Sequence, residues 1–316
     1  MTWSEDSIHR WLADQPRARC LSGSQGHDAA VLKPGLGRPV LCVDACVEGV
    51  HFEAEASDKA VGRKAAGRAL SDLAATGARP EALLLALRAP HDACEKRLRR
   101  LIRGVGGMGL AHGAPLVGGD TTCAPGPLSL TVSALGRFRG RNKPPGRDRA
   151  RSGQVVVVTG PLGGSLLGRH LKVQPRLKEA RWLLSHGATA LMDVSDGLLL
   201  DAERLARASG VAMQIESVPI HRDAQRRARE TGRSALQHAL TDGEDYELIA
   251  CLPAKSLLGL LAQAPKHCPG LAVLGRVSAG RGVTLALLDQ LQGLDPAEQA
   301  IWLQELQEKG WLHGTR

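Results

Sequence analysis

Strand-like and helix-like segments alternate through both halves of this 316-residue chain. In the first half, an apolar stretch at residues 40–43 precedes residues 59–76, where apolar side chains recur at helical spacing up to Gly77. In the second half, the β-branched run at 155–159 is followed by an amphipathic stretch that ends at Gly210. This alternation predicts an α/β or α+β fold in which helices pack on mixed sheets.

The length of the chain allows two domains, because a domain usually contains roughly 100–200 residues. A basic segment with paired prolines, residues 137–151, separates the two alternating halves. We therefore expect one domain over residues 1–150 and a second over residues 151–316. The same patterns predict a helix over 92–103 in the first half and a terminal helix that begins at Asp295.

The composition favours a small anionic ligand over other partners. Lys and Arg number 41 against 32 Asp and Glu, and the net charge of +9 favours nucleic acid or phosphorylated small molecules. Aromatic residues make up only 3% of the chain, so few rings can stack on bases and we expect no nucleic-acid partner. The apolar runs are too short to span a membrane, the first residues do not resemble a signal peptide, and the seven cysteines form no CxxC pair. These features predict a cytoplasmic protein with reduced thiols and no membrane partner.

Five aspartates fall at predicted corners in which glycines also occur, at or near the ends of predicted strands: Asp28, Asp44, Asp120, Asp193 and Asp196. Mg²⁺ prefers oxygen ligands and bridges protein carboxylates to substrate phosphates, while nearby glycines let the backbone approach those phosphates. Asp72 belongs with this set, because a carboxylate in the last helical turn opposes the helix dipole by about 0.3–1 kcal/mol and a cation would compensate it. The alternative is that each Asp and Gly pair simply forms a turn.

Six motifs follow one another along the chain: GHDAAV (26–31), VDACVEGVHF (43–52), LSDLAATGA (70–78), GGDTT (118–122), DVSDGL (193–198) and GEDYEL (243–248). Together they resemble the motifs of the thiamine-monophosphate kinase family. That family belongs to a superfamily with aminoimidazole-ribonucleotide synthetase and selenophosphate synthetase. The likeness covers nearly the whole chain, and six motifs in one order are a specific signal.

The resemblance implies a two-domain, synthetase-like fold that phosphorylates thiamine monophosphate to thiamine diphosphate by direct transfer from ATP. Mg²⁺ would be the cofactor and ATP the co-substrate. The first domain would bind ATP and Mg²⁺ and form a homodimer, and the second would complete the nucleotide and substrate site. The attacking phosphate oxygen is already largely ionised at neutral pH, since its second pKa is about 6, so no general base is needed.

The resemblance also implies roles for individual residues. The metal ligands would be Asp28, Asp44, Asp72, Asp120, Asp193 and Asp196, and the contacts to ATP would be Gly119, Asp120, Arg147 and Ser195. Asp44, Asp120 and Arg147 would carry catalysis, with Arg147 stabilising charge on the transferring group. The substrate contacts would be His51, Glu244 and Trp311. Without the resemblance, these three are explained as a packed histidine, a turn acid and a residue that packs on the terminal helix.

The chain departs from the family pattern at five positions and in a segment near residues 168–175 that is shorter than usual. Asp242 stands where the first of two glycines is usual. His27 replaces an acid, Cys42 and Val43 replace hydroxyl residues, and Cys123 replaces an arginine. Thiol sulphur and a methyl group are poor ligands for Mg²⁺. Two alternatives therefore stand beside a kinase: a noncatalytic nucleotide-binding paralogue and another ATP-dependent synthetase of the superfamily. A nucleic-acid-binding protein is supported only by the net charge.

Overall fold

The computed structural model describes residues 35–140 and 143–286, which form two compact units. The first unit contains residues 35–73, 78–140 and 171–174, and the second contains residues 74–77, 143–170 and 175–286. Several sequence predictions fall outside the described residues: the metal ligand Asp28, the substrate contact Trp311, the departure at His27 and the terminal helix from Asp295.

Hydroxyl groups attach residues 143–150 to the second unit. The Ser209 hydroxyl donates to the carbonyl of Arg147 at 2.6 Å, and the Thr189 hydroxyl donates to the carbonyl of Arg149 at 2.8 Å. The backbone N–H of Ala150 in turn donates to the Ser209 hydroxyl at 2.9 Å. The change from one unit to the next therefore falls at residues 141–142, before the end of the basic segment.

The first unit is a four-stranded mixed sheet with two helices. Its elements are β1 (Arg38–Val47), α1 (Asp58–Ala75), β2 (Arg79–Ala89), α2 (Glu95–Ala111), β3 (Leu116–Cys123) and β4 (Ser129–Phe138). The strand order is β1-β4-β2-β3, with β2 and β3 parallel and the other pairs antiparallel. Along β4, half-buried and buried side chains alternate, so one face of the sheet lies against the core.

Helix α1 confirms the predicted helix over 59–76 to within one residue, but α2 is longer than the predicted 92–103. The prediction ended α2 early because the glycines from Gly104 onward disfavour a helix. In the structure α1 and α2 cross closely at Gly62 and Gly104. A Cβ on Gly62 would lie 2.0 Å from the Leu101 carbonyl oxygen, so tertiary packing requires glycine here and outweighs local propensity.

The second unit is a six-stranded mixed sheet covered by helices. Its elements are β5 (Gln154–Val158), α3 (Leu177–Ser185), β6 (Ala190–Asp193), α4 (Leu198–Ser209), β7 (Ala212–Ile215), α5 (Arg222–Thr231), α6 (Ala235–Thr241), β8 (Leu248–Pro253), α7 (Leu257–His267), β9 (Ala272–Ser278) and β10 (Gly282–Leu285). The strand order is β10-β7-β9-β5-β8-β6, in which only β10 and β7 are parallel.

Helix α4 illustrates how the second core forms. Leu198, Ala202 and Leu205 lie on one face of the helix and are completely buried, and Gly210 ends the helix in the left-handed conformation at φ 66°. Both units thus confirm the predicted mixed sheets with packed helices. Among residues 35–140 and 143–286, the helices are too short or too polar to cross a bilayer.

Candidate functional site

The sequence predicted Asp44 at the end of a strand, but in the structure Asp44 lies inside β1. The prediction stopped the strand too early, because pairing with β4 continues through Asp44, which stands opposite Val132. The Asp44 carboxylate accepts a hydrogen bond from Arg68 Nη2 at 2.8 Å, and the Arg68 side chain is only 8% exposed. Asp44 therefore has a basic partner, which lies on α1 and not within a few residues along the chain.

Asp120 also lies inside a strand, β3, and not at a corner between elements. Its side chain is exposed, and Oδ2 accepts a hydrogen bond from the Thr122 hydroxyl at 3.2 Å. Gly119 passes so close to β2 that a Cβ would lie 1.9 Å from the Leu85 carbonyl oxygen. Strand pairing alone therefore requires glycine at position 119, whatever its contact with a nucleotide.

The strand register places Asp44 and Asp120 on opposite faces of the first sheet. Asp44 stands opposite Val132, and Val132 stands opposite Leu85. Leu85 stands opposite Gly119, so this row crosses all four strands. Successive side chains on a strand point to opposite faces, and Asp120 follows Gly119 by one residue. The sheet therefore separates two side chains that the sequence predicted to share a metal site.

His51 is buried in the turn that follows β1. Its Nδ1 accepts a hydrogen bond from the Val47 N–H at 3.1 Å, and its carbonyl accepts one from the ammonium group of the fully buried Lys64. On α1, Lys64, Arg68 and Asp72 recur every four residues and so share one face of the helix. That spacing in the sequence could have identified Lys64 and Arg68, which the motif comparison missed.

In the second unit, a hydrogen-bonded acid organises the loop between β6 and α4. Asp201 Oδ2 accepts hydrogen bonds from the N–H groups of Ser195 and Asp196 at 3.0 and 2.9 Å. Arg204 pairs with both Asp196 and Asp201. Burial, together with the negative charges of Asp196 and Asp193, raises the pKa of Asp201 to about 7. The loop thus concentrates carboxylates beside the predicted nucleotide contact Ser195.

The loop over residues 242–247 bonds directly to this carboxylate loop. The N–H of Glu244 donates to the Ser195 carbonyl at 2.7 Å, and the N–H of Tyr246 donates to the Val194 carbonyl at 2.9 Å. Both Glu244 and Tyr246 have left-handed backbones, at φ 52° and 54°, which is strained for residues other than glycine. The two motifs of the second half therefore form one hydrogen-bonded body, in which Glu244 is 4% exposed.

Arg147 lies apart from the two hydrogen-bonded loops that contain Ser195 and Glu244. The Arg147 carbonyl is bonded to Ser209, the last residue of α4, whereas Ser195 precedes the first residue of that helix. A helix of 12 residues is about 18 Å long. The structure therefore does not bring together Arg147 and Ser195, which the resemblance gave as joint contacts to ATP.

A basic cavity of about 350 Å³ adjoins the Arg147 segment. Its walls are formed by Lys143, Asp148, Arg149, Ala150, Arg151 and Thr189. Three of these side chains carry positive charge and one carries negative charge, so the cavity favours anions.

The carboxylate oxygens of the predicted metal ligands are of the type that Mg²⁺ prefers, but the structure does not group them into a metal site. Among residues 35–140 and 143–286, no three His, Cys, Asp or Glu side chains are grouped closely enough to hold a metal ion. In the second unit, however, the negative charges of Asp196 and Asp193 act on the buried Asp201 and help to raise its pKa. A hard divalent cation would relieve that repulsion, and buried carboxylates fit such a cation chemically.

The departures at positions 42, 43 and 123 differ in their placement. Cys42 Sγ lies 3.1 Å from the Ala69 carbonyl on α1, on the same face as Asp44. Val43 is 62% exposed on the other face of the sheet. Cys123 Sγ lies 2.9 Å from His91 Nδ1 at the exposed end of β3. The strand register therefore places Cys42 and Cys123 on the same face of the sheet as the Asp44 carboxylate, and Val43 on the opposite face.

Asp245 is a buried carboxylate that the motif comparison did not single out. Its side chain is 1% exposed, and its oxygens accept from the Gly163 N–H at 3.1 and 3.0 Å. Arg169 Nη2 donates to Asp245 Oδ1 at 2.7 Å. Burial raises the pKa of Asp245 to about 7, although the Arg169 guanidinium and the Gly163 N–H act in the opposite direction.

This raised pKa predicts that Asp245 makes stability depend on pH. Below pH 7 the folded protein holds a proton that the unfolded chain releases near pH 4, so the contribution of Asp245 to stability falls as the pH rises from 4 to 7. We expect Asp245→Asn to remove this slope, which is at most about 1.4 kcal/mol per pH unit. Melting temperatures from pH 5 to 8 test this, with the exposed Asp148→Asn as the control. Parallel curves for the wild type and Asp245→Asn would contradict it.

Comparisons with known proteins show which families this chain is similar to. Two family models match, AIR synthase related protein, N-terminal domain, over residues 26–138 and AIR synthase related protein, C-terminal domain, over residues 161–287. A thiamine-monophosphate kinase of Rhodopirellula baltica is 38% identical over 240 residues, covering 72% of this chain and 75% of the relative. That of Synechococcus elongatus is 33% identical, covering 87% and 90%. The solved structure of AaThiL complexed with AMPPCP and TMP is 27% identical with a TM-score of 0.74, covering 98% of this chain and 95% of its own.

Proposed function

The chain belongs to the thiamine-monophosphate kinase family, and we propose that it transfers the γ-phosphoryl group of ATP to the phosphate of thiamine monophosphate. The products are thiamine diphosphate and ADP. One observation carries the proposal: the loop with the predicted nucleotide contact Ser195 and the loop with the predicted substrate contact Glu244 are bonded backbone to backbone. A nucleotide bound at Ser195 and a substrate bound at Glu244 would therefore lie next to each other. The relative AaThiL, solved with AMPPCP and TMP, supports the same pair of ligands.

The chemistry requires positioning more than proton transfer. The acceptor is a phosphate oxygen that is already ionised near neutral pH. Catalysis then consists of holding the two phosphates in line and neutralising their charge. The described residues suit this task, because the loops of the second unit supply fixed carboxylates and backbone groups, and none of their members is needed as a nucleophile.

The proposed residue roles are those that the family resemblance implies. In the described units, Asp44, Asp72, Asp120, Asp193 and Asp196 would hold Mg²⁺, which supplies charge neutralisation between phosphates when bound. Gly119, Asp120 and Ser195 would contact ATP, and Arg147 would make a separate contact at the other end of α4. His51 and Glu244 would contact thiamine monophosphate. A homodimer, supported by the family resemblance, and a cytoplasmic location, supported by the sequence pattern, are parts of the same proposal. Sedimentation of the purified protein tests the first of them.

Chromatographic product analysis tests the function. We expect the chain, incubated with ATP, Mg²⁺ and thiamine monophosphate, to form thiamine diphosphate and ADP in equal amounts, and to form neither when chelator replaces Mg²⁺. Omitting thiamine monophosphate is the control for ATP hydrolysis. Binding of ATP without any product would favour the noncatalytic paralogue. ADP formed only with another acceptor from a substrate panel would favour a different synthetase of the superfamily.

A further inference from the structure

Two successive glycine amides anchor the loop over residues 242–247. The Gly163 N–H donates to Asp245, and the Gly164 N–H donates to Asp242 Oδ2 at 2.8 Å. The Ser165 hydroxyl donates to the Gly243 carbonyl at 2.6 Å. Segments that lie far apart in the sequence are thus joined by consecutive hydrogen bonds, all in the interior of the second unit.

Glycine is needed at both anchoring positions. Gly163 and Gly164 have φ values of 88° and 71°, a region that other residues rarely adopt. A Cβ on Gly163 would lie 2.6 Å from the Ala239 backbone, and one on Gly164 would lie 2.2 Å from the carbonyl carbon of Asp223. The glycine pair therefore brings its amides close to the carboxylates only because it carries no side chains.

Arg169 stabilises the contact between Gly163 and Asp245, because it donates hydrogen bonds to both residues. Its Nη2 donates both to Asp245 Oδ1 at 2.7 Å and to the Gly163 carbonyl at 2.9 Å. Asp245 stands between Glu244 and Tyr246, the two residues with left-handed backbones. A fixed Asp245 side chain therefore restrains the backbone on both sides of it, including the strained conformation of Glu244.

We propose that Arg169 and Asp245 are positioning residues that hold Glu244 in its left-handed conformation and thereby set the affinity for thiamine monophosphate. This inference rests on the proposed function, in which Glu244 contacts that substrate. In this proposal Arg169 and Asp245 act through Glu244. The Ser195 N–H is also held by Asp201, a contact outside the Glu244 loop, so loosening that loop changes the nucleotide contact less than the substrate contact.

Steady-state kinetics of Arg169→Gln separate positioning from general stability. We expect KM for thiamine monophosphate to rise about tenfold, while kcat and KM for ATP stay within about twofold. Arg169→Lys restores most of the affinity, because an ammonium group can donate to both the Asp245 carboxylate and the Gly163 carbonyl. Arg226→Gln is the matched control, since Arg226 pairs with Asp223 at 3.3 Å in the same unit but is 64% exposed. A purely structural role would lower the amount of active enzyme and leave both KM values unchanged.

Amide hydrogen exchange gives a readout that does not need activity. We expect faster exchange in Arg169→Gln over residues 161–165 and 242–248, with no change over α4. Unchanged exchange in both segments would overturn the positioning role, and faster exchange with an unchanged KM for thiamine monophosphate would overturn its link to affinity. If the wild type makes no thiamine diphosphate, the proposed function and the affinity link fail together. If the wild type is active and Arg169→Gln behaves like it, this inference alone fails.

Discussion

The Asp120→Asn variant is expected to lose more than about a hundredfold in kcat while keeping its fold, because the change removes a charge proposed to hold Mg²⁺ against phosphate. The side chain of Asp120 is exposed on β3 and accepts a hydrogen bond from the Thr122 hydroxyl. An asparagine oxygen can accept the same bond, so the melting temperature should not move. Initial rates at saturating ATP and thiamine monophosphate, measured across a Mg²⁺ titration and alongside thermal melts, test this expectation.

Asp120 gives a cleaner test of the metal assignment than Asp44. Asp44 pairs with the nearly buried Arg68, so Asp44→Asn would also disturb an ion pair and mix stability with catalysis. Thr122→Val removes only the hydroxyl contact, and Asp92→Asn removes an exposed charge elsewhere in the same unit. Both controls should retain turnover. Near-wild-type turnover in Asp120→Asn at every Mg²⁺ concentration would remove Asp120 from the proposed metal ligands.

The elements with strong local signals could be predicted from the sequence. Helix α1 has apolar residues at helical spacing and ends before Gly77, whose φ of 65° allows the chain to turn back. Helix α4 has the same two signals, with Gly210 at its end. In both cases a single segment contains the information. The length of α2 was predicted too short. Its Gly104 is required by the close approach of Gly62, which lies on α1, so the segment itself does not show why a helix tolerates glycine there.

The candidate site was predictable as a set of motifs but not as an arrangement. Sequence order placed Asp44 and Asp120 at corners, whereas strand pairing continues through both and turns them to opposite faces. Likewise, nothing local to Ser195 indicates that its carbonyl accepts the N–H of Glu244. Asp201 did carry a local signal, since an acid in the first turn of a helix is favourable and can bond the preceding loop. Strand pairing and backbone hydrogen bonds between distant segments decided where Asp44, Asp120 and Ser195 lie.

Arg176→Met is expected to destabilise the second unit by about 3–5 kcal/mol, because it leaves a buried carboxylate without its cation. The Glu247 side chain is 4% exposed and pairs with Arg176, whose Nε donates to Oε2 at 2.8 Å. The Thr159 hydroxyl also donates to Glu247 at 2.5 Å but carries no charge. Denaturant titrations of the wild type and the variant measure the loss. Arg226→Met serves as the control, since its exposed ion pair should contribute about 1 kcal/mol or less.

A second substitution distinguishes the loss of charge pairing from the loss of side-chain packing. Glu247→Gln in the Arg176→Met background removes the uncompensated charge and still offers an oxygen to the Thr159 hydroxyl. We expect this double variant to regain at least half of the lost stability, since removing both charges of a buried pair is far less damaging than removing one. An equal loss in the single and double variants would show that the methylene groups of Arg176 matter more than its charge. The charges of Arg176 and Glu247 would then contribute little to stability, and packing alone would fix the position of Glu247 between Tyr246 and β8.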